Sequence, residues 1–488
     1  MKRKWMIAAL AAVCVMGSSV AAKEAYDDGG VLDQENPVTL TIWHYYNGAP
    51  QAAFDKLVEE FNNSVGKDLG IYVEEYSKGS VSDLETAISE SVSGTVGAEE
   101  MPDLFSAYTD SALGLQKDGL LTDLNQYFTE EELDKYVDAY VQEGEFAGDG
   151  GLYVFPVAKS TEITMMNKTD WDKFAEETGA AMEELSTVEG IVKVAEQYYD
   201  WTDAQTPDVP DDGKAFYGRD SISNYFLIGM KQLGYELFEV ENGKVTLQAD
   251  KEAIHKLWEN YYVPYVKGYV VSYGKFGSDD VKTGDTLAYT GSTASSMYFP
   301  DKVELDDESY PIDYVICNAP VFEDGEAYSV QQGAGMAMTK SDKAHEYAGS
   351  VFLKWFTQSE NSLKFGAASG YLPVQKEANK AETLNCVVEE EQLQIAPKTY
   401  DCLTMVMDQF ADTRYYVPKC FDNGYQARKI LDYNLKDKAV ADRETIDAEV
   451  SGGTSREEAV APYITEEAFD TWYDEFVSAL TEAAGLNE

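Results

Sequence analysis

A chain of 488 residues carrying 88 acidic and 38 basic side chains has a formal charge of −50. That charge repels nucleic acid and anionic membrane surfaces, so neither is expected as a ligand, and the length suits two or three domain-sized units.

At the start, Lys2, Arg3 and Lys4 precede an apolar run from Met6 to Met16, too short to span a bilayer, and Ser19-Val20-Ala21-Ala22 follows with small residues. This order is that of a cleaved secretory signal covering residues 1–22, and it implies an exported protein. Cys14 raises the question of a lipid anchor, but Ala11-Ala12-Val13 departs from the small residue wanted just before a lipidated cysteine, and a discarded signal is the preferred reading. Residues 23–37 read as a disordered lead-in.

Strand and helix patterns then alternate, as an α/β protein requires. Val38 to Trp43 alternates as a half-buried strand, and Phe54, Leu57, Val58 and Phe61 mark a helix at 3.6 spacing. Ile71-Tyr72-Val73 is a second strand, Asp83 to Val92 a helix, and Pro102 to Phe105 leads into a third strand. Leu120 to Leu124 passes into surface helices, and Gly151 to Val157 is again extended. Acidic, proline-bearing Asp200 to Gly218 reads as a loop or insertion, and Glu241-Asn242-Gly243-Lys244 as a hairpin turn. Ala334, Met336 and Met338 alternate with Gly333 and Gly335 as a buried strand would. Ser341 and Asp342 can cap a helix whose apolar face runs through Ala348, Val351, Phe352, Trp355 and Phe356. A tight Gly370-Tyr371-Leu372-Pro373 turn follows, and the chain after Lys436 reads as appended helices.

Chemistry-bearing motifs are sparse. The cysteines beyond the signal, Cys317, Cys386, Cys402 and Cys420, lack metal-site spacing, and neither a metal nor another cofactor is expected. Export permits disulfides, and Cys402 with Cys420 is the pair to test first, buried thiols being the other reading. A secreted glycoside hydrolase is the competing class, but its two opposed carboxylates can always be found among 88 acidic residues. The chain has no G-x-S-x-G elbow, and His44, His255 and His345 form no H-E-x-x-H. A surface adhesin would predict repeats, and none is found.

The order Gln331 to Val374, ending in Gly370-Tyr371-Leu372-Pro373, resembles the extracellular solute-binding proteins of carbohydrate-type ABC importers. Three other segments are similar to that family: Thr41 to Gly48, its first strand and ligand-facing loop; Phe155 to Lys168, its first crossover, with Met165-Met166 where a pair of tyrosines is usual; and Thr290 to Ser295, its second-lobe loop. The resemblance spans most of residues 38–375, and among subgroups the Ser160-Thr161 crossover and the Tyr371 turn look most like sn-glycerol-phosphate-binding proteins.

It implies a two-lobed periplasmic-binding-protein fold with discontinuous lobes, a hinge and an interlobe ligand cleft. Lobe 1 would comprise 38–157 with 319–358, and lobe 2 158–318 with 359–488. The implied activity is capture of a sugar or oligosaccharide by a monomer that delivers it to a membrane permease, without catalysis; a phosphate ester is the alternative cargo. By the same resemblance Trp43, Tyr45, Tyr46 and Tyr371 could supply aromatic platforms, and Asn47, Ser160, Thr161, Ser292 and the backbone at Gly333 and Gly335 hydrogen bonds. Arg414 lies near the ligand-facing arginine of the glycerol-phosphate subgroup, and Lys159 sits in the crossover. Either cation in the cleft would favour an anionic cargo, whereas an arginine paired with surplus carboxylates would not.

Overall fold

The protein is represented by a computed structural model that describes residues 26, 30–241, 244–306 and 308–486. The signal segment, Cys14 and the two central residues of the expected hairpin turn lie outside the described residues. Within the described residues no helix is long and apolar enough to cross a membrane. The chain divides into two compact units: unit 1 holds the residues up to Lys159, Ala334–Ser369 and Pro373–Leu393, and unit 2 holds Ser160–Gly333, Gly370–Leu372 and Gln394–Glu488.

Unit 1 is built on a five-stranded sheet in the spatial order Ile71–Ser77, Val38–His44, Leu104–Ala107, Gly335–Met338, Val154–Phe155. The first three strands are parallel, and Gly335–Met338 runs antiparallel to both of its neighbours. All four residues of Gly335–Met338 are buried, which explains an apolar run rather than an alternating one. Gly335 has a steric reason: a Cβ there would fall 2.5 Å from Phe155 O.

The helix Gly48–Asn63 turns Phe54, Leu57, Val58 and Phe61 inward. Phe61 meets Phe352 and Trp355 of the helix Lys343–Phe356 edge to face. Asp342 caps that helix by accepting from the Ala344 and His345 amides. The next helix, Ser359–Ser369, also belongs to unit 1, because Phe365 packs on Tyr46, Phe54 and Phe356. Conversely, Val321 exchanges backbone hydrogen bonds with Ser186 and Val188, which keeps residues 319–333 in unit 2. The division therefore falls at 333/334, 369/370, 372/373 and 393/394, where the sequence reading places boundaries at 318/319 and 358/359.

Unit 2 has a four-stranded sheet ordered Tyr314–Asn318, Glu162–Asn167, Ala288–Ser292, Tyr217–Arg219, antiparallel except for its last pair. The segment from Asp200 is less irregular than expected: the helix Val188–Asp203 enters it, and Tyr217–Arg219 closes it as a strand. The strands Phe238–Glu241 and Lys244–Leu247 form the expected antiparallel hairpin.

The C-terminal helices are not appendages. Leu431, Leu435 and Ala439 of the helix Gly424–Ser451, with Phe469, Trp472, Phe476 and Leu480 of Glu466–Ala483, join one apolar core with Phe226, Ile254, Leu257 and Trp258. Nor is the lead-in structureless throughout. Asp33 closes a turn by accepting from the Glu35 amide and the Asn36 side chain. Its carbonyl lies where a Cβ on Gly70 would stand, 2.6 Å away, and Gly70 has φ +79°. Further upstream, Gln358 donates to the Tyr26 hydroxyl at 2.9 Å.

Candidate functional site

In unit 1 the segment after the first strand carries four of the expected residues. Trp43 is 3 % exposed and packs with Leu84, Ile88, Phe105 and Val154, while the Lys78 ammonium stands 3.8 Å over its ring and pairs with Glu99. Tyr46 is equally buried, among His44, Phe54 and Phe365. Tyr45 is half-buried against Tyr46. Asn47 is exposed and donates to the Gly79 carbonyl at 3.0 Å. The two tyrosines following His44 thus divide between core and surface, as neighbours in extended chain do.

His44 fixes this segment from below. Its Nδ1 accepts from the Tyr46 amide at 3.2 Å, so Nε2 carries the hydrogen and donates to Glu75 Oε2 at 2.7 Å. That bond holds the Glu75 carboxyl below its ordinary range, whereas burial and Glu75 raise Asp55. His44, Asp55 and Glu75 place their ligand atoms within 4.8 Å of one another. With Nε2 protonated they form a hydrogen-bonded cluster rather than three lone pairs ready for an ion.

In unit 2 the polar segments converge. Ser160 and Gln332 exchange backbone hydrogen bonds at 2.8 and 3.1 Å, which sets the first crossover beside Gly333, where φ is +98°. The Thr161 carbonyl accepts from the Thr293 amide at 2.9 Å, joining the crossover to the loop after Ala288–Ser292. Ser292 caps the short helix there by accepting from Ala294. Gly370 comes so close that a Cβ would lie 2.7 Å from the Thr293 carbonyl, and its φ of +74° suits glycine. Half-buried Tyr371 is thereby delivered to the same neighbourhood as Ser160, Thr161, Ser292 and Gly333. The buried hydroxyls of Thr161 and Thr293 have no hydrogen-bond partner, which is costly unless a ligand or water supplies one.

The two cations are engaged. Lys159, the last residue of unit 1 before the crossover, is 2 % exposed and binds Glu143 at 2.7 Å. Arg414 stands apart from the unit 2 group. It is exposed on the strand Arg414–Tyr416, pairs with Glu326 at 2.7 Å and lies over the Tyr328 ring.

No disulfide joins the described cysteines, so Cys402 and Cys420 are separate thiols. Cys402 lies 3.9 Å from the Thr293 carbonyl, and burial pushes its thiol up to about 12.

Four polar residues of unit 2 were not singled out from sequence as site residues. Glu162, immediately after Thr161, binds Arg219 at 2.5 Å, and both are nearly fully buried. Asn224 donates to Glu162 and to Gln332. Asp220 accepts from the Gly277 amide at 2.7 Å and lies against Gly291; burial raises its carboxyl to about 6, with the Glu162 charge adding to the rise. The signal available was Arg219-Asp220-Ser221 at a strand-to-helix junction, a poor place for charge unless it has partners.

The sequence profile of the bacterial extracellular solute-binding proteins matches residues 56–394. The chain belongs to that family. Over 417 residues, 83 % of this chain and 80 % of the relative, it is 24 % identical to a maltotriose-binding protein of Pyrococcus abyssi. Two solved structures share its fold. The cyclic α-maltosyl-1,6-maltose binding protein of Arthrobacter globiformis superposes with a TM-score of 0.62 at 19 % identity, covering 92 % of this chain and 100 % of that one. UgpB of Mycobacterium tuberculosis, in complex with glycerophosphocholine, gives 0.63 at 18 %, covering 92 % and 99 %. The solute-binding protein therefore has the two-lobed periplasmic-binding-protein fold.

Proposed function

We propose that this solute-binding protein is the extracytoplasmic component of an ABC importer and that its cargo is a neutral sugar or oligosaccharide. The supporting observation is the state of the polar groups: Lys159 and Arg414 are each bound to a carboxylate at 2.7 Å, while buried hydroxyls at Thr161 and Thr293 lack partners. An anionic cargo needs an available cation to offset the loss of its hydration, whereas a polyol needs hydroxyl donors and acceptors beside an aromatic face. Ser160, Thr161, Ser292 and Tyr371 supply that second set within unit 2. The relatives named for maltotriose and cyclic maltosyl-maltose point the same way. In this reading the protein leaves the cytoplasm through its N-terminal signal, acts as a monomer, hands its cargo to a permease and leaves it chemically unchanged.

The test is thermal shift followed by calorimetry on the purified mature chain, with maltotriose, longer oligosaccharides, glycerol 3-phosphate and glycerophosphocholine. A ligand at a hundred times its Kd stabilises the folded state by about 2.7 kcal/mol. Stabilisation by sugars, with the sugar recovered intact, is expected. Stabilisation by the phosphate esters alone would replace the sugar, and sustained hydrolysis would replace the whole reading with an enzyme.

A further inference from the structure

We propose that Asn224 is a positioning residue: it ties together two of the chain segments that pass between the units, those at Ser160-Thr161 and at Gln332-Gly333, and so holds the candidate ligand-binding residues they carry. Asn224 is 1 % exposed and lies in the first turn of the helix Ile222–Gln232. Its Nδ2 donates to Glu162 Oε1 at 3.0 Å and to Gln332 Oε1 at 2.9 Å, and its Oδ1 accepts from Arg428 at 2.7 Å. The amide orientation is set by its partners. Turned over, it would aim oxygen at a carboxylate and NH2 at a guanidinium.

The placement in the chain gives the bonds their meaning. Unit 2 begins at Ser160 and this stretch of it ends at Gly333, so Glu162 and Gln332 are within two residues of the crossings at 159/160 and 333/334. One amide holds both, and it is itself anchored through Arg428 to the long C-terminal helix Gly424–Ser451. Glu162 is held a second time by Arg219. On the unit 1 side, the buried Lys159–Glu143 pair fixes the first crossing, and the close packing of Gly335 on Phe155 fixes the second. Between these anchors lie Ser160-Thr161 and Gly333-Ala334, and Ser160 and Thr161 are themselves bonded through their backbone to Gln332 and Thr293. Gly333 sits at a positive φ that lacks the usual steric penalty only for glycine.

Amide hydrogen exchange of the unliganded mature protein tests the tie without any cargo, with Asn224→Ala, Gln332→Ala and the double variant. Each single variant should speed exchange at both the Ser160 and Gln332 amides by about tenfold or more, with the helix Lys251–Lys267 unchanged as control. The double variant should be no faster than Asn224→Ala, because both remove one tie. Additive effects, or an effect confined to Ile222–Gln232, would overturn the proposal. If Asn224→Ala does not fold, Gln332→Met decides alone: it keeps the volume and loses the acceptor, and unchanged protection at Ser160 would overturn the tie.

The consequence for transport rests on the solute-binding reading. With maltotriose as probe, Asn224→Ala should dissociate about tenfold faster. Failure of the unaltered protein to bind maltotriose would count against that cargo, while the exchange results would still decide the tie.

Discussion

The aromatic segment of unit 1 and the polar loops of unit 2 were both expected to face cargo, yet they satisfy their own chemistry in opposite ways. Trp43 and Tyr46 are spent on packing: one is held under Lys78 among aliphatic side chains, the other among Phe54 and Phe365. In unit 2, Thr161 and Thr293 are drawn together by a backbone bond, and their hydroxyls remain unanswered. An apolar ring satisfies itself by burial, while a hydroxyl does so only by finding a partner. Unit 1 thus stakes stability on these residues, and unit 2, in the proposed function, stakes recognition.

The sharpest way to break that contrast is at Trp43. Removing a buried tryptophan costs about 3–5 kcal/mol, so Trp43→Ala should lower the urea midpoint of unit 1 by a corresponding amount. The two units are followed separately by exchange at Leu104–Ala107 and at Glu162–Asn167, because a single transition is not guaranteed for two units. A variant of unchanged stability that no longer binds sugar would move Trp43 out of the core and into the site.

A second test lies in unit 2, at Asp220. Its carboxyl, raised to about 6, holds a proton more tightly in the folded chain than in the unfolded one. The folded state therefore binds more protons between about pH 4 and pH 6, and stability falls as pH rises through that window, by about 1–3 kcal/mol from this group, and stays lower above it. Asp220→Asn keeps an acceptor for the Gly277 amide, so it should remove that slope and be more stable than the parent above pH 6. The difference between the two proteins in urea midpoint against pH is the measurement, since other carboxyls titrate in both. Parallel curves would mean that Asp220 is not held apart from water.

How much of this was legible beforehand follows from which interactions are local. The strand Val38–His44, the helix Gly48–Asn63 and the cap at Asp342 announce themselves through periodicity and neighbouring residues. The set of loops in unit 2 was legible through the family resemblance at Phe155 to Lys168, Thr290 to Ser295 and Gly370 to Pro373, and the close approach of Gly370 to the Thr293 carbonyl accounts for the glycine in the last of them. The unit boundaries were not, because Phe365 joins unit 1 through rings of the distant helix at Phe54, which no spacing encodes. The C-terminal helices read as additions for the same reason: the partners of Phe476 lie near Phe226, some 250 positions upstream. Asn224 was invisible as an isolated polar residue, since its three partners come from three separate segments.

A smaller effect is expected at Thr161. Thr161→Val preserves the shape and deletes a buried hydroxyl that has no partner, so stability should hold or rise slightly. If that hydroxyl meets the sugar, affinity should fall by about 0.5–1.5 kcal/mol, read by calorimetry with whichever oligosaccharide binds. Loss of stability without loss of affinity would show that Thr161 has an internal partner and would erase the contrast between the units on this residue.

The smallest effect is expected at Arg414, and it separates the cargo classes. Its guanidinium is about two-thirds exposed and paired with Glu326, which is nearly as exposed, so the pair is screened and contributes little. Arg414→Lys keeps the charge and loses the planar fork. With a neutral sugar as cargo the substitution should change affinity by less than about 0.5 kcal/mol, and stability by no more. A phosphate ester gripped by that fork would respond differently, because a single ammonium cannot replace two parallel N–H donors. A large affinity loss for glycerol 3-phosphate in Arg414→Lys, with sugars inert toward the parent protein, would make the exposed strand Arg414–Tyr416 the recognition element. The hydroxyl group around Thr161 would then have to be assigned some purpose other than cargo.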